Sequence, residues 1–444
     1  TFIAVHLLKR IADSGLLKRA LFVCDRDELR TQGLAAFQNV FGNDAAAVTT
    51  NKPEKNARIL VATYQALGIE GEDGDASFLI RNYPENYFSH IVIDECHRSA
   101  WGKWSVVLTR NSAAVQIGLT ATPRKIENPE TPEAKNDQQI TSDNLTYFGE
   151  PVYEYDMSQG IEDGYLAACE IQKGRVNLDH AGLTKDQIMA RNPRNAITGA
   201  PIAREEANEL YEKTTFEKQL LLPDRVMAMC KDFFQFLVDS GAPEQKTIIF
   251  CTRDSHADDV AATMNNLYVD WCQKQNRQPL ASFAFKCTAA GGKDNLPELR
   301  GASRSHFIAT TVELLTTGVD VPCLQNIVFF KYVRSPISFY QMIGRGTRLD
   351  PPTGKLMFRI YDYTNATDLF GRTFITKKPR EGGGGGGTEP PLQIIVEGFD
   401  VRVTPAGHFI LTNVDGRAVP ITQFTQNVEQ IKIFHFIQTL NKDW

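Results

Sequence analysis

The chain has 444 residues, 42% hydrophobic and 23% charged, a composition that is ordinary for a folded protein with two or three domains. Its 48 Lys and Arg residues against 53 Asp and Glu residues give a net charge of −5, which excludes a wholly basic, histone-like protein. A local basic groove for nucleic acid stays possible. The sequence has no run of 18 apolar residues and no signal-peptide layout at residues 1–8, so it predicts neither a membrane span nor export.

The eight cysteines stand singly along the chain, and no two of them form a CxxC pair. This spacing argues against structural zinc and against a disulfide framework. We therefore expect buried free thiols in a protein of the reducing cytoplasm.

Short apolar runs alternate with helical stretches and form two sets. The first set is 20–24, 59–64, 91–94 and 115–119, and the second is 247–251, 282–287, 307–311, 327–330 and 357–361. Near-continuous apolar strands separated by helices are typical of parallel sheets covered on both faces. The sequence therefore predicts two α/β domains.

The other segments complete the predicted domain organisation. A polar stretch near 124–222 reads as a connector, six glycines at 382–387 as a flexible linker, and alternating residues at 394–401 and 408–413 as a hairpin. A helix at 1–12 precedes the first strand, so we expect both ends of the chain to be cut from something longer. The predicted divisions are 1–150 (first domain), 151–222 (connector), 223–375 (second domain), 376–392 (linker) and 393–444 (hairpin and start of a helical region).

The first chemical motif is the strand 91–93 followed by Asp94, Glu95, Cys96 and His97. Carboxylates at the carboxyl edge of a parallel sheet face the ligand crevice. Asp94 is placed to hold Mg²⁺ through water and Glu95 to orient an attacking water. The alternative interpretation is an acid-rich helix N-terminus.

Two further motifs follow strands. Thr120 and Thr122, in the run 118–123, would couple a nucleotide site to the neighbouring domain, or would simply belong to a strand-end turn. In the run 316–322, Gly318 allows close backbone approach and Asp320 can accept from a ribose hydroxyl. A plain turn before a strand would explain that run equally.

The last motif is the run 341–348, which contains Gln341, Arg345 and Arg348. If this run is helical, the two arginines lie on one face at i, i+3 spacing. Two guanidiniums can then clamp γ-phosphate oxygens, as an arginine finger does. The alternative is a solvated basic helix face.

In this order and at these spacings, the motifs resemble those of superfamily 2 helicases and translocases. Residues 94–97, DECH, resemble the Walker B element, 118–123 the TAT element and 341–348 the sixth motif. The remaining matches are 250–253 (fourth motif), 316–322 (fifth), Asp25, Arg26 and Gln32 (Ia) and Thr63 (Ib).

The resemblance narrows to the restriction (R) subunit of type I restriction–modification enzymes. It rests on the runs 23–29, 94–99 with Trp104, 147–153, 162–166 and 361–363, and it covers most of 1–375. In that family the motor hydrolyses ATP to pull duplex DNA past itself without separating the strands. The resemblance implies an α/β fold of two tandem RecA-like parallel-sheet motor domains plus a truncated C-terminal extension, with ATP and Mg²⁺ in the cleft between the domains. The implied partners are double-stranded DNA and the methylation and specificity subunits, with no membrane.

The resemblance also implies a role for each matching residue. These are Glu95, Arg345 and Arg348 for catalysis; Asp94, Gly318, Asp320 and Gln341 for ATP and Mg²⁺; His97, Thr120 and Thr122 for coupling; and Arg26, Thr63, Thr252, Arg253 and Thr310 for DNA phosphates. Strand-end capping is the alternative for each DNA candidate.

The chain departs from the family in what it lacks. The phosphate loop GxxxxGK[ST] is absent, and Thr1 would lie at or just after its end, so we expect weak ATP hydrolysis by this chain alone. The family's nuclease domain and most of its C-terminal helical domain are absent too. Asp224, Glu244 and Lys246 mimic a PD…ExK nuclease site, but their positions favour a helix start and a strand start.

Two other functions stay open at this point. One is another superfamily 2 motor, such as a type III restriction subunit or a DNA repair helicase. The other is a non-catalytic DNA-binding scaffold.

Overall fold

A computed structural model describes most of the chain, which forms two compact units, Thr1–Glu154 and Tyr155–Trp444. The described residues are 1–69, 76–96, 105–120, 131–155, 157–174, 183–207, 210–211, 219–301, 305–313, 320–369, 394–396, 399–404, 407–414 and 417–419. The predicted runs 382–387 and 419–440 lie outside these residues almost entirely, with Val419 alone described. The domain boundaries proposed from the sequence therefore stay predictions.

The first unit is a five-stranded parallel sheet with helices around it. Its elements are α1 (Phe2–Asp13), β1 (Ala20–Cys24), α2 (Asp27–Phe41), β2 (Ala45–Ala47), β3 (Ile59–Thr63), α3 (Ser77–Asn82), β4 (His90–Asp94), α4 (Val106–Thr109), β5 (Val115–Leu119) and α5 (Pro132–Phe148). The strand order is β2-β3-β1-β4-β5, and all four pairings are parallel.

Alternate residues of the central strands enter two different cores. Phe22 of β1 packs with α1 and α2 on one face, whereas Leu21 and Val23 pack with α3 on the other. Because successive side chains of a strand point to opposite faces, a strand covered on both sides must be apolar throughout. This is why β1 and β3 are buried at every position and could be recognised as continuous apolar runs.

The second unit begins with short elements and then builds a larger sheet. Its elements are α6 (Met157–Glu162), β6 (Ala168–Lys173), β7 (Leu183–Thr184), α7 (Lys185–Met189), β8 (Arg194–Asn195), β9 (Leu210–Tyr211), β10 (Leu220–Leu221), α8 (Pro223–Asp239), β11 (Thr247–Phe250), α9 (Asp254–Lys274), β12 (Ala284–Lys286), α10 (Leu296–Arg300), β13 (Ile308–Thr311), β14 (Asn326–Phe329), α11 (Pro336–Ile343), β15 (Met357–Asp362), β16 (Ile394–Val396), β17 (Phe399–Thr404), β18 (Gly407–Val414) and β19 (Arg417–Val419).

The large sheet combines a parallel and an antiparallel part. Strands β12-β13-β11-β14-β15-β6 are parallel neighbours, and β18-β17-β16 continue the sheet beyond β6, with β19 paired to β18. Helices α8 and α9 pack on one face of the parallel part, and α10 and α11 on the other. Two parallel-sheet α/β domains, as predicted, are confirmed.

Two features of this sheet differ from the sequence prediction. Strand β6 lies in the range assigned to the connector, yet it pairs with β15 along its whole length, from Ala168 opposite Met357 to Lys173 opposite Asp362. The run predicted as one strand at 394–401 is divided into β16 and β17, and the predicted hairpin is formed by β17 and β18. Hydrogen bonding to the distant strand β15 decided the first outcome, and antiparallel pairing between strands that are neighbours in the chain decided the second.

Among the helices that the structure describes, none has the length and apolar composition needed to cross a bilayer. All eight cysteines are free and buried, which confirms the expectation of buried thiols.

Removal of a core side chain should destabilise the second unit strongly. Ile248 is fully buried at the centre of the parallel sheet. We expect Ile248→Ala to lower the free energy of unfolding by about 2–5 kcal/mol, because the substitution loses transfer energy and leaves a cavity. Urea denaturation followed by circular dichroism measures this. The control Ile197→Ala, at a residue that is 78% exposed, should change it by no more than about 0.5 kcal/mol. Equal effects would contradict the assigned core.

The buried thiols should be unreactive in the folded chain. Burial raises the pKa of both Cys24 and Cys96 to about 12, and the neighbouring carboxylates add to the effect. At pH 8 about one thiol in ten thousand would then be a thiolate at these sites. A colorimetric thiol reagent should therefore find almost no reactive cysteine in native protein and eight after denaturation. Rapid reaction of either cysteine in the native state would contradict this burial.

Candidate functional site

The carboxyl ends of the strands in the first unit meet at one edge of the sheet. Cys24 lies opposite Thr63, and Asp94 lies opposite Leu119. Because neighbouring strands are about 4.8 Å apart, the residues that follow these positions share one surface. The structure thus brings Asp94, Glu95 and Thr120 together with Arg26 at the edge where the sequence predicted them.

Asp94 is the last residue of β4 and is largely buried. Its Oδ2 accepts a hydrogen bond from the Thr1 hydroxyl at 3.4 Å and lies 3.8 Å from the Thr1 nitrogen. Thr1 immediately precedes α1, so the first turn of that helix also approaches Asp94. A hydroxyl beside a carboxylate is an oxygen ligand pair of the kind Mg²⁺ prefers.

Thr1 was not among the site residues predicted from sequence. The available signal was its position, which the sequence analysis placed at or just after the expected end of a phosphate loop. In phosphate-loop enzymes a Ser or Thr hydroxyl holds Mg²⁺ together with the Walker B aspartate. The Thr1–Asp94 contact fits that arrangement.

Glu95 occupies an unusual backbone conformation, with φ at +53°. A positive φ in a residue with a side chain is uncommon and costs of the order of 1–3 kcal/mol, which the surroundings must supply. The next residue, Cys96, is buried, and its Sγ would lie only 2.8 Å from a Cβ at Gly118 on β5. The missing side chain of Gly118 therefore makes room for Cys96, which holds the turn that carries Glu95.

Two other predicted residues of the first unit have different surroundings. Arg26 begins α2, and its Nε lies 3.7 Å from Asp25 Oδ2. Thr63 is buried, and its hydroxyl accepts a hydrogen bond from the Ala66 N–H at 3.2 Å. The structure therefore favours turn capping for Thr63 over contact with DNA. His97 and Thr122 lie outside the described residues.

In the second unit, the run that carries the two arginines is not helical, so the condition for placing them on one helix face is not met. Helix α11 ends at Ile343, and Arg345 lies in the turn that follows it. Arg348 lies just beyond this turn, where it forms an isolated antiparallel bridge with Leu166. The Gly346 N–H donates to the Ile343 carbonyl at 2.8 Å, which closes this turn. A Cβ at Gly346 would overlap the ring of Phe358, so the backbone approaches β15 more closely than any other residue would allow.

Arg348 and Asp320 are brought together by this turn. Arg348 Nε lies 2.9 Å from Asp320 Oδ1, and both side chains are partly exposed. This contact favours a role for Asp320 in orienting Arg348 rather than in binding a ribose. Gln341 is buried on α11, and Gly318 lies outside the described residues.

Thr252 and Arg253 connect β11 to the N-terminus of α9 and leave several polar atoms without partners. Within the described part of the chain, Thr252 Oγ1 and Arg253 Nε and Nη1 are buried and have no hydrogen-bond partner. Buried polar atoms of native proteins are nearly always paired, so an unpaired set needs an explanation. Hydroxyl and guanidinium groups beside a helix N-terminus are suited to a phosphate.

His256 supports this turn and was missed by sequence reasoning. Its Nδ1 accepts a hydrogen bond from the Thr252 N–H at 3.2 Å. Burial, together with the positive charge of Arg253, lowers the pKa of His256 to about 4, so the ring is neutral at physiological pH. The neutral ring then carries its proton on Nε2. The sequence offered no usable signal for the hydrogen bond between Thr252 and His256, because a histidine four residues after a threonine is a common pattern.

Thr310, the remaining DNA candidate, is fully buried in the second sheet. Its hydroxyl donates to the Ala257 carbonyl at 2.8 Å and so joins β13 to α9. Thr310 cannot contact DNA in this conformation. Its role is structural, as the alternative given for each DNA candidate proposed.

The residues that mimic a nuclease site serve structural roles. Asp224 pairs with Arg191 in the first turn of α8, and Glu244 lies 2.9 Å from Arg277. Lys246 Nζ donates to three backbone carbonyls. No group of three His, Cys, Asp or Glu residues within the described ranges is arranged to hold a metal ion.

Two protein families match the chain. The family described as "Type III restriction enzyme, res subunit" matches residues 1–125, and the family described as "Helicase conserved C-terminal domain" matches residues 228–350. The two matches therefore fall on the two parallel sheets.

Individual relatives are more specific. The chain is 32% identical to the type I restriction enzyme EcoAI endonuclease subunit of Escherichia coli over 378 residues, which are 83% of this chain and 43% of that protein. It is 28% identical to the EcoKI endonuclease subunit of Escherichia coli K12, over 99% of this chain and 37% of that protein. The chain thus spans less than half the length of these curated relatives.

A solved structure agrees with the sequence relatives. A fragment of an HsdR subunit of a type I restriction enzyme from Vibrio vulnificus YJ016 matches 79% of this chain and 54% of its own, with a TM-score of 0.54 and 27% identity. The Type ISP enzyme LlaBIII, solved bound to DNA, shares the fold at 16% identity and a TM-score of 0.53. Given the motif residues, the two sheets and these relatives, the chain belongs to the helicase family of the endonuclease (HsdR) subunits of type I restriction enzymes.

Proposed function

We propose that this chain is the ATP-driven motor of a type I restriction enzyme, which moves double-stranded DNA past itself without separating the strands. The observation that carries the proposal is the group of Thr1, Asp94 and Glu95 at one sheet edge. The type I endonuclease subunits among the relatives supply the biological setting.

Residues of the first unit would hold Mg²⁺ and activate water. The Thr1 hydroxyl and the Asp94 carboxylate are the oxygen groups that fit the metal, which, when bound, neutralises charge on the phosphates of ATP. Glu95 follows Asp94 directly and would orient the attacking water and accept its proton. Thr120, with His97 and Thr122, would couple the state of this site to the DNA surface.

Residues of the second unit would stabilise the transferred charge. Arg348 uses Nε to contact Asp320, which leaves its terminal amino groups for phosphate oxygens. Arg345 lies three residues earlier, in the turn that follows α11, and would act with it. We propose that Gly318 and Gln341 also bind ATP, as the family resemblance implies.

DNA phosphates would bind at the N-terminus of α9. Thr252 and Arg253 present the unpaired hydroxyl and guanidinium atoms described above. Arg26 in the first unit is a further candidate for contact with a DNA phosphate. Such contacts do not depend on base sequence, which suits a motor that must pass over any DNA. Methylation and specificity subunits would supply the sequence recognition.

A type III restriction motor is a second candidate, because the family that matches residues 1–125 carries that name. A strand-displacement assay distinguishes the two. The proposed type I motor should translocate on duplex DNA without releasing a labelled strand, whereas release of that strand would favour another superfamily 2 motor.

Loss of the Glu95 carboxylate should abolish hydrolysis. In the full natural protein, we expect Glu95→Gln to reduce DNA-stimulated phosphate release by about 10²–10⁴-fold, because no side chain then takes the proton of the attacking water. Nucleotide binding should persist. The control is Glu85→Gln, at an exposed carboxylate paired with Arg110. Unchanged turnover in Glu95→Gln would refute the assignment, whereas absence of hydrolysis in the wild-type protein would favour a non-catalytic DNA-binding scaffold.

Loss of the Arg253 guanidinium should weaken DNA binding at all sequences alike. Removing one phosphate contact is expected to reduce the slope of log affinity against log salt by about 0.9. The measurement is a salt titration of binding to several duplexes by fluorescence anisotropy. Arg277→Ala, at the opposite end of α9, is the control and should not change the slope. An unaltered slope in Arg253→Ala would remove Arg253 from the DNA site.

A further inference from the structure

Lys355 is a buried cation that contacts two separate parts of the proposed ATP site. It is 5% exposed and lies just before β15. Its Nζ donates to the carbonyl oxygens of Pro322 at 3.0 Å, Gly346 at 2.8 Å and Arg348 at 2.5 Å. An ammonium group has three N–H donors, and here each has a backbone acceptor.

The three carbonyls belong to the segments that carry the charged pair. Pro322 ends residues 320–322, here called the Asp320 segment, and Gly346 and Arg348 belong to residues 344–348, here called the arginine segment. The two segments meet through side chains in the Arg348–Asp320 ion pair and through backbone carbonyls at Lys355. Lys355 itself is held by two backbone hydrogen bonds with Asp350, both of 3.0 Å.

This arrangement is not explained by stability alone. Burying an ammonium is costly, and apolar residues often replace buried charges without loss of stability. The arginine segment has left α11 and forms no helix, so its backbone needs other contacts to hold one conformation. Lys355 supplies two such contacts, at Gly346 and Arg348, and its third hydrogen bond goes to the Asp320 segment.

We propose that Lys355 is a positioning residue for ATP hydrolysis, which holds the arginine segment against the Asp320 segment so that Arg345 and Arg348 are presented to the nucleotide. The inference rests on the proposed function. Lys355 acts through the two arginines and touches neither substrate nor metal.

The second unit contains a matched control. Lys246 is also 5% exposed, and its Nζ also donates to three backbone carbonyls, those of Glu298, Ser305 and His306. None of these carbonyls belongs to the arginine segment or the Asp320 segment. Replacing either lysine by Met removes three hydrogen bonds to backbone carbonyls. Only Lys355→Met removes hydrogen bonds to the arginine segment.

The test compares Lys355→Met with Lys246→Met in the full natural protein. We expect similar losses of thermal stability from both. Lys355→Met should lower kcat for DNA-stimulated ATP hydrolysis by about 10- to 100-fold, because small misplacements of catalytic groups have effects of this size. Lys246→Met should leave kcat within about twofold of wild type. Equal kcat values for the two variants would overturn the inference.

A double-mutant cycle separates positioning from a general structural effect. If Lys355 acts through Arg348, then Lys355→Met combined with Arg348→Ala should have nearly the kcat of Arg348→Ala alone. Full additivity of the two losses would overturn the inference. Failure of the proposed function is distinguishable, since it would appear as unchanged hydrolysis in Glu95→Gln whatever Lys355 does.

A pH profile keeps the inference testable if Lys355→Met does not fold. Burial lowers the pKa of Lys355 to about 8 and outweighs the opposite effects of Cys323, Asp350 and Asp320, while the charge of Arg348 adds to the lowering. A neutral amine has only two N–H donors for the three carbonyls. Hydrolysis by wild type and by Lys246→Met should therefore fall as the pH rises through about 8 while both stay folded. A constant rate up to pH 9.5 would overturn the inference.

Discussion

Parallel pairing of strands that are buried on both faces is the constraint on which the rest of the structure depends. In the first unit β3, β1, β4 and β5 run in one direction, so Thr63, Asp25, Asp94 and Thr120 reach one edge although they are far apart in the chain. In both units the sheet interior is mostly apolar, because both faces are covered, and buried polar residues such as Thr310 are hydrogen-bonded within the protein. Chemistry is therefore confined to the residues that follow each strand, and the motifs occupy those positions.

Loops of each unit are held by contacts that regular structure does not provide. Cys96 fills the space left by Gly118 and supports the turn of Glu95. Gly346 packs its backbone on Phe358, and Lys355 holds three carbonyls nearby. Each contact relates a loop to the sheet beneath it, so the rigid scaffold determines where the reactive side chains lie.

The hydroxyl residues at strand ends show how a structural role can be separated from a binding role. Thr63 and Thr310 have their hydroxyls bonded within the protein and are buried. Thr252 has a buried hydroxyl with no partner in the described residues, next to Arg253, which has the same property at two nitrogens. An unpaired buried group costs free energy, and a bound phosphate would recover it. A threonine at a strand end is therefore structural at positions 63 and 310, whereas at position 252 it is a candidate for phosphate binding.

The sequence by itself determined the two parallel sheets, because apolar runs such as 20–24 and 247–251 are a direct consequence of burial on both faces, and it determined the motif order that places the chain in its family. Only the tertiary structure decided that β6 joins β15, that Thr1 contacts Asp94, and that Arg348 leaves the helix to meet Asp320. A local sequence pattern indicates whether a residue will be buried or will need a polar partner, whereas these contacts join residues far apart in the chain. The packing of the whole unit decides which distant residue becomes the partner.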